Sequence, residues 1–227
     1  MSTIDYIALA LFAFLWVGYS HIVGGARLFK RVSLTQAMVE HRRQWIYNSL
    51  NRDLKMIDTQ IIAGLQAGTA FFASTCIFAL GGCFALLGRA MEAQAIFNDL
   101  PYVFQGGRTA FELKVGGLTC IFGYAFFKFG WSYRLFNYCS ILIGGIPMLS
   151  EAKLDRAAAE RAAERAIRMN VVAAMHFNAG LRSIFLSIGY LGWFVSPYIL
   201  MGATGIVIVV LFRRQFFSEA REALLEP

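Results

Sequence analysis

The chain has 227 residues, of which 58% are apolar and only 15% are charged. A soluble domain carries about 25% charged residues, so this composition excludes an ordinary globular domain, a disordered chain and a disulfide-rich secreted module. What remains is an all-α polytopic membrane protein in which residues 1–227 form a single membrane domain. The net charge of +7 would suggest nucleic acid in a soluble chain. Here the basic residues cluster beside apolar segments, so we expect no nucleic-acid partner and relate the charge to orientation in the bilayer.

Four segments are predicted to cross the membrane, since a crossing needs about 20 mostly apolar residues. They are 6–26, 61–88, 110–134 and 183–212. The first has an acidic residue before it and three basic residues after it, the reverse of a cleavable signal peptide, so we expect a retained helix with its N-terminus outside. The last contains Pro197, which allows either one kinked helix or a re-entrant hairpin. Thirty residues are too few for two full crossings, so the kinked helix is the prediction.

The connecting segments predict the orientation. Residues 27–58 hold seven Lys or Arg, and residues 151–182 hold six. Basic loops remain in the cytoplasm, which with four crossings leaves both chain ends outside. Arg213 and Arg214 disagree with this arrangement because they follow the last crossing, and they keep the re-entrant alternative open. Segments 33–60 and 151–176 have helical spacing or strong helix formers, so a layer of amphipathic helices is predicted on the cytoplasmic face.

Small residues recur at helical spacing within the predicted crossings. Gly116, Gly123 and Gly130 are seven residues apart, and Gly64 and Gly68 have the GxxxG spacing. The last predicted crossing contains Gly189 and Gly192. Small residues let helices approach closely in lipid, which favours packing either within one chain or between copies of it.

Several short motifs are distinctive in combination. The chain contains NSLNRDLKMID at 48–58, FFAST at 71–75, WSYRLFNY at 131–138, HFNAGLR at 176–182 and WFVSP at 193–197. Through these motifs it resembles the bacterial membrane family called domain of unknown function 599, over nearly its whole length. The resemblance implies a multi-pass protein of the bacterial inner (plasma) membrane and implies no particular activity.

A set of polar residues is predicted to converge near the inner membrane boundary. The set consists of Arg52, Asp53, Asp58, Lys128, Arg134, Asn137, Asn178 and Arg182. Ionisable groups at this depth are costly unless they are paired or hydrated. They therefore either tie the helices together through salt bridges and amide hydrogen bonds, or line a binding site or pore mouth. Cations outnumber carboxylates in the set, and basic rings favour anions.

Two functions remain open from the sequence. The first is a homo-oligomeric channel or transporter, with anions favoured as the substrate. The alternative is a non-catalytic scaffold or accessory subunit that binds other membrane proteins. An enzyme is not favoured, because no catalytic constellation is evident. His21 and His176 fall on one side of the membrane and could ligate haem or a metal, but no ligand spacing supports this, so no cofactor is predicted.

Overall fold

A computed structural model describes residues 1–24, 31–98 and 107–225. These residues form nine α-helices and no strand. The helices are α1 (Thr3–Val23), α2 (Leu34–Asn48), α3 (Met56–Gly88), α4 (Ala90–Asn98), α5 (Arg108–Gly144), α6 (Leu149–Leu154), α7 (Arg156–Leu191), α8 (Pro197–Phe216) and α9 (Glu219–Leu225). Short 3₁₀ turns occupy Ser49–Asn51 and Gly192–Phe194. The all-α prediction is confirmed for this part of the chain.

Five helices, not four, are long and apolar enough to cross a membrane, namely α1, α3, α5, α7 and α8. The predicted crossing 183–212 was wrong, because α7 ends at Leu191 and α8 begins again at Pro197. Proline has no N–H to donate and suits the first turn of a helix, and the Ser196 side chain caps the new helix by accepting from the Ile199 N–H. Helices α7 and α8 form a helical hairpin. Helix α7 is long enough for a crossing of its own because it begins well before residue 183.

The two ends of the bundle are distinct. At one end, Asp5 of α1 lies beside Trp193, which follows α7. At the other end, Tyr19 of α1 packs in one cluster with Leu211 and Phe216 of α8. Helix α2 lies at this second end, where its Thr35 hydroxyl accepts from the Gln215 amide of α8 at 2.6 Å. We call the two ends the Asp5 end and the α2 end. The start of α1 and the end of α8 thus lie at opposite ends of the bundle, whereas the prediction placed both chain ends on one side of the membrane.

The centre of the fold is the antiparallel pair α5 and α7. The ring of Phe129 lies directly against Gly180, where an added Cβ would approach ring carbons to 2.7 Å. The Ser132 hydroxyl donates to the carbonyl of Ala173 at 2.8 Å. Helix α3 packs along α5, while α8 packs along α7 and α1 packs along α8. The pair therefore forms the support to which the remaining membrane helices attach.

The central helices are longer than a bilayer requires. Helix α5 has 37 residues and α7 has 36. At about 1.5 Å per residue each is roughly 55 Å long, against about 30 Å for a hydrocarbon core. The predicted crossing 110–134 is thus part of the longer α5. The predicted segment 151–176 consists of α6 and the first half of α7, continuous with a membrane helix. Segment 33–60 is interrupted after Asn48, before α3 begins at Met56.

Candidate functional site

Three of the eight predicted polar residues are held in hydrogen bonds between neighbouring elements. Asp58 is fully buried at the start of α3, and its Oδ1 lies 2.5 Å from Arg52 Nη1. The indole N–H of Trp45, on α2, donates to the same oxygen at 2.7 Å. On α5, Asn137 accepts from the Gln66 amide of α3 at 2.6 Å. These contacts join α2 to α3 and α3 to α5, so they form two separate links between helices.

Three more of the predicted residues lie away from any shared centre. Asp53 is exposed. Lys128 Nζ lies 5.2 Å from the ring centroid of Tyr124, one turn earlier on α5. The Arg134 guanidinium likewise lies over the ring of Tyr138, with its Cζ 5.5 Å from the ring centroid. The structure therefore does not bring the eight residues together.

The last two predicted residues, Asn178 and Arg182 of α7, line a cavity of about 210 Å³. It lies at the α2 end, between α2, α7, the last turns of α1 and the end of α8. Other side chains in its wall come from Tyr19, Val23, Thr35, Met38, Val39, Arg42, Phe185, Leu211, Arg214 and Gln215. A second cavity of about 120 Å³ continues from it and shares Asn178 and Arg182.

The charge of this cavity comes from Arg42 of α2, Arg182 of α7 and Arg214 of α8, and we call it the arginine cavity. None of the described residues lining it is Asp or Glu. The Nε of Arg182 is buried and has no hydrogen-bond acceptor among them. Arg42 donates to the Asn170 side chain, and burial lowers the pKa of the Arg42 guanidinium. Arginine keeps its charge even so, which leaves three cations around one small space.

Helical periodicity explains why these side chains share a wall. On α2, Thr35, Val39 and Arg42 are four and three residues apart, so they lie on one face. Asn178 and Arg182 are four apart on α7. Sequence reasoning missed Arg42 and Arg214. The disagreement of the Arg213–Arg214 pair with the four-helix arrangement was the available signal, because it indicated that the end of α8 belongs with the basic segments.

A second buried polar network closes the Asp5 end. Lys114 of α5 donates to the carbonyl of Trp193 at 2.7 Å, and the Trp193 indole donates to Asp5 Oδ1 at 2.8 Å. The Tyr190 hydroxyl donates to the carbonyl of Lys114 at 3.1 Å. The Ser2 hydroxyl and backbone N–H also donate to the Asp5 carboxylate. The network joins the starts of α1 and α5 to the end of α7, and sequence analysis did not anticipate it.

The predicted packing glycines fall into two groups. A Cβ on Gly189 would lie 3.1 Å from the Thr204 backbone, and one on Gly192 would lie 2.9 Å from the Ile199 side chain. Both sit where α7 and α8 pack closely. The other five have no neighbouring heavy atom of the described chain within 4 Å of an added Cβ: Gly64, Gly68, Gly116, Gly123 and Gly130. Close packing at these five positions would have to come from outside the described residues.

The two histidines considered as ligands lie on α1 and α7. His21 is exposed in the last turn of α1, and His176 is half-buried in α7. Across the ranges that the structure describes, no three His, Cys, Asp or Glu side chains are grouped as a metal site would need.

Five helices of the described chain are long and apolar enough to cross a membrane, as a multi-pass membrane protein requires. The chain belongs to the family described as protein of unknown function DUF599, whose model matches residues 7–220. The resemblance based on the sequence motifs is thereby confirmed. No curated protein and no solved structure matches the chain.

Proposed function

We propose that this protein is an anion channel or transporter of the bacterial inner membrane, with the arginine cavity as its binding site. One observation carries the proposal: three arginines from three helices face a common space in which no described side chain is acidic. Arginine is the side chain best suited to hold oxyanions, because its planar fork offers several N–H donors together with a fixed charge. An anion bound there would compensate charges that the chain leaves uncompensated.

The same proposal assigns the α2 end to the cytoplasm, with the N-terminus outside and the C-terminus inside. The basic residues of segments 31–58 and 151–168 belong to the α2 end, and so do Arg213 and Arg214 at the end of α8. Positively charged segments are retained on the cytoplasmic side during insertion. With five crossings, the pair that disagreed with the four-helix prediction now agrees with the other basic residues.

A transport cycle needs access from both sides. The arginine cavity lies at the proposed cytoplasmic end, whereas the Lys114, Trp193 and Asp5 network closes the opposite end. We therefore propose that the structure represents a state closed to the outside, in which an anion enters from the cytoplasm. Passage would require the Asp5 end to open, or several copies to form a path between them.

Flux through purified protein in liposomes tests the proposal. Release of chloride and phosphate, and movement of a labelled anionic phospholipid between leaflets, should each be measured for the wild type and for Arg214→Ala. We expect transport of at least one of these anions, and slower transport in the variant. Arg213→Ala is the matched control, since it removes the same charge from the same helix turn outside the cavity wall. Absence of all transport, or equal effects of the two variants, would overturn the proposal.

Self-association has support of its own from the five open glycines. Gly116, Gly123 and Gly130 recur along α5, and no described atom of another helix lies within 4 Å of a Cβ added at any of them. A second copy, or another membrane protein bound by a scaffold, would fit against these glycines. Gly123→Leu should lower the mass of the detergent-solubilised assembly, whereas Gly202→Leu on α8 should leave it unchanged. Equal masses for wild type and Gly123→Leu would remove these glycines from any interface.

A further inference from the structure

We infer that the ligand of the arginine cavity is a phosphate group, either free or as a monoester at the head of a membrane lipid. The inference rests on the proposed anion site and goes beyond it, because it names the chemical class that the site takes. Halides and carboxylates are the competing classes, and the charge, size and donors of the cavity distinguish among the three.

The charge of the cavity exceeds what a monovalent anion neutralises. Arg42, Arg182 and Arg214 together bring three positive charges, and no described acidic side chain offsets them there. A phosphate monoester carries about −1.5 to −2 charges at pH 7, whereas a halide or a carboxylate carries one. Of the three classes, phosphate leaves the smallest uncompensated charge in a partly buried space.

The size of the cavity also favours a polyatomic anion. Its volume is about 210 Å³. A water molecule takes up about 30 Å³ of liquid volume, and a single halide ion would therefore leave most of the cavity to water. A tetrahedral phosphate fills more of this space and places several oxygens within reach of donors on different walls.

The donors point to an anion with several acceptor oxygens. Each guanidinium carries five N–H groups, and Arg42 uses one of them on Asn170. The buried Nε of Arg182 is unused among the described residues. Arg214 lies over Phe185, with its Cζ 5.7 Å from the ring centroid. Arginine pairs bidentately with phosphate, so three such groups suit an anion with three or more oxygens.

The lining of the cavity suits either source of phosphate, a lipid headgroup or the free anion. Val39, Leu211 and Phe185 make part of the lining apolar. Tyr19 and Arg214 belong to the last turns of α1 and α8, where membrane helices reach the level of lipid headgroups. A lipid could therefore place its phosphate among the arginines and its chains along the apolar wall, whereas free phosphate would enter from the aqueous side.

Ligand-induced stabilisation of the purified full-length protein tests the inference. Thermal unfolding should be followed with sodium phosphate, sodium acetate and sodium chloride at equal ionic strength. A second series compares dioctanoyl phosphatidate with dioctanoylglycerol, which differ only in the phosphate. We expect stabilisation by phosphate or by phosphatidate, and little by acetate, chloride or dioctanoylglycerol. Stabilisation by both phosphate and phosphatidate, or by phosphate alone, identifies a free-phosphate site. Stabilisation by phosphatidate alone identifies a lipid site.

Variants then locate the binding. Loss of a charged hydrogen-bond donor should weaken phosphate binding about tenfold or more in Arg182→Gln and in Arg214→Ala. Arg213→Ala should bind as the wild type does. Equal stabilisation by chloride or acetate would overturn the phosphate assignment while leaving the proposed anion transport intact. Binding of phosphate without any transport would overturn the transport proposal alone. If no anion binds, both fail.

Discussion

Replacing Arg182 by methionine should make the ligand-free protein more stable, although it removes a charged residue from the centre of the arginine cavity. The buried Nε of Arg182 has no acceptor in the described chain, and none of the lining residues described is a carboxylate. Methionine has a similar reach, is flexible, and needs no hydrogen-bond partner. The substitution therefore removes a desolvated donor while retaining most of the packing with the helix neighbours.

The magnitude follows from the cost of one unsatisfied buried donor, about 1–3 kcal/mol. For a chain of this size each kcal/mol shifts the unfolding temperature by about 2–4 °C. Phosphate should reverse the order of stability of the wild type and the methionine variant. At a concentration 100 times its Kd a ligand stabilises the folded state by about 2.7 kcal/mol, and the methionine variant should gain much less.

Tryptophan fluorescence during heating, with and without phosphate, measures both effects in detergent. Arg134→Met is the control, since Arg134 is exposed on α5 and outside the cavity. The reasoning is refuted if Arg182→Met unfolds at a lower temperature than the wild type without phosphate and responds to phosphate to the same extent. Arg182 would then be a satisfied structural residue and not part of a ligand site.

Two further predictions concern the scaffold around the cavity. Gly180→Ala should destabilise the protein by about 1–3 kcal/mol, because its Cβ would approach the Phe129 ring to 2.7 Å and force the central helices apart; thermal unfolding measures this, and an unchanged unfolding temperature, as expected for the control Gly123→Ala, would contradict it. Asp58→Asn should loosen α2, because Arg52 loses its charged partner at the junction with α3. Hydrogen exchange across residues 34–48 should then show protection lowered by about 1–3 kcal/mol, and unchanged protection would show that the ion pair does not hold α2 in place.

Part of this fold could be predicted from the sequence. The first two membrane helices were evident as long uncharged stretches of apolar residues, and the third was predicted at 110–134 although Lys128 interrupts its apolar run. The hairpin after residue 183 was not, because the first half of α7 carries the arginines and glutamates typical of a solvated helix. Its apolar character begins only midway, so a search for uncharged stretches found the last turns of α7 and joined them to α8. Hydropathy alone cannot separate a helix that is half in water from a short crossing.

The candidate site was predicted in part for a similar reason. Asn178 and Arg182 were noted because polar residues entering a membrane helix are expensive. Arg42 lies on a polar amphipathic helix, where an arginine is ordinary, and Arg214 was assigned to the opposite face of the membrane. Their convergence depends on how α2 lies against α7 and α8, a long-range arrangement that residue spacing does not encode. Asp58 and Arg52, by contrast, are only six residues apart in the chain, so their contact is a local one.

Helix α7 has a mechanical consequence of its own. It runs from Arg156 to Leu191 without a proline, through the α2-end layer and into the membrane. Glu164, which contacts α2 through Arg43, lies 18 residues before Arg182, about 27 Å along the axis at 1.5 Å per residue. An uninterrupted helix transmits rotation along its length, since it has no break at which it could bend. A protein that binds the first half of α7 would therefore rotate Arg182 with it.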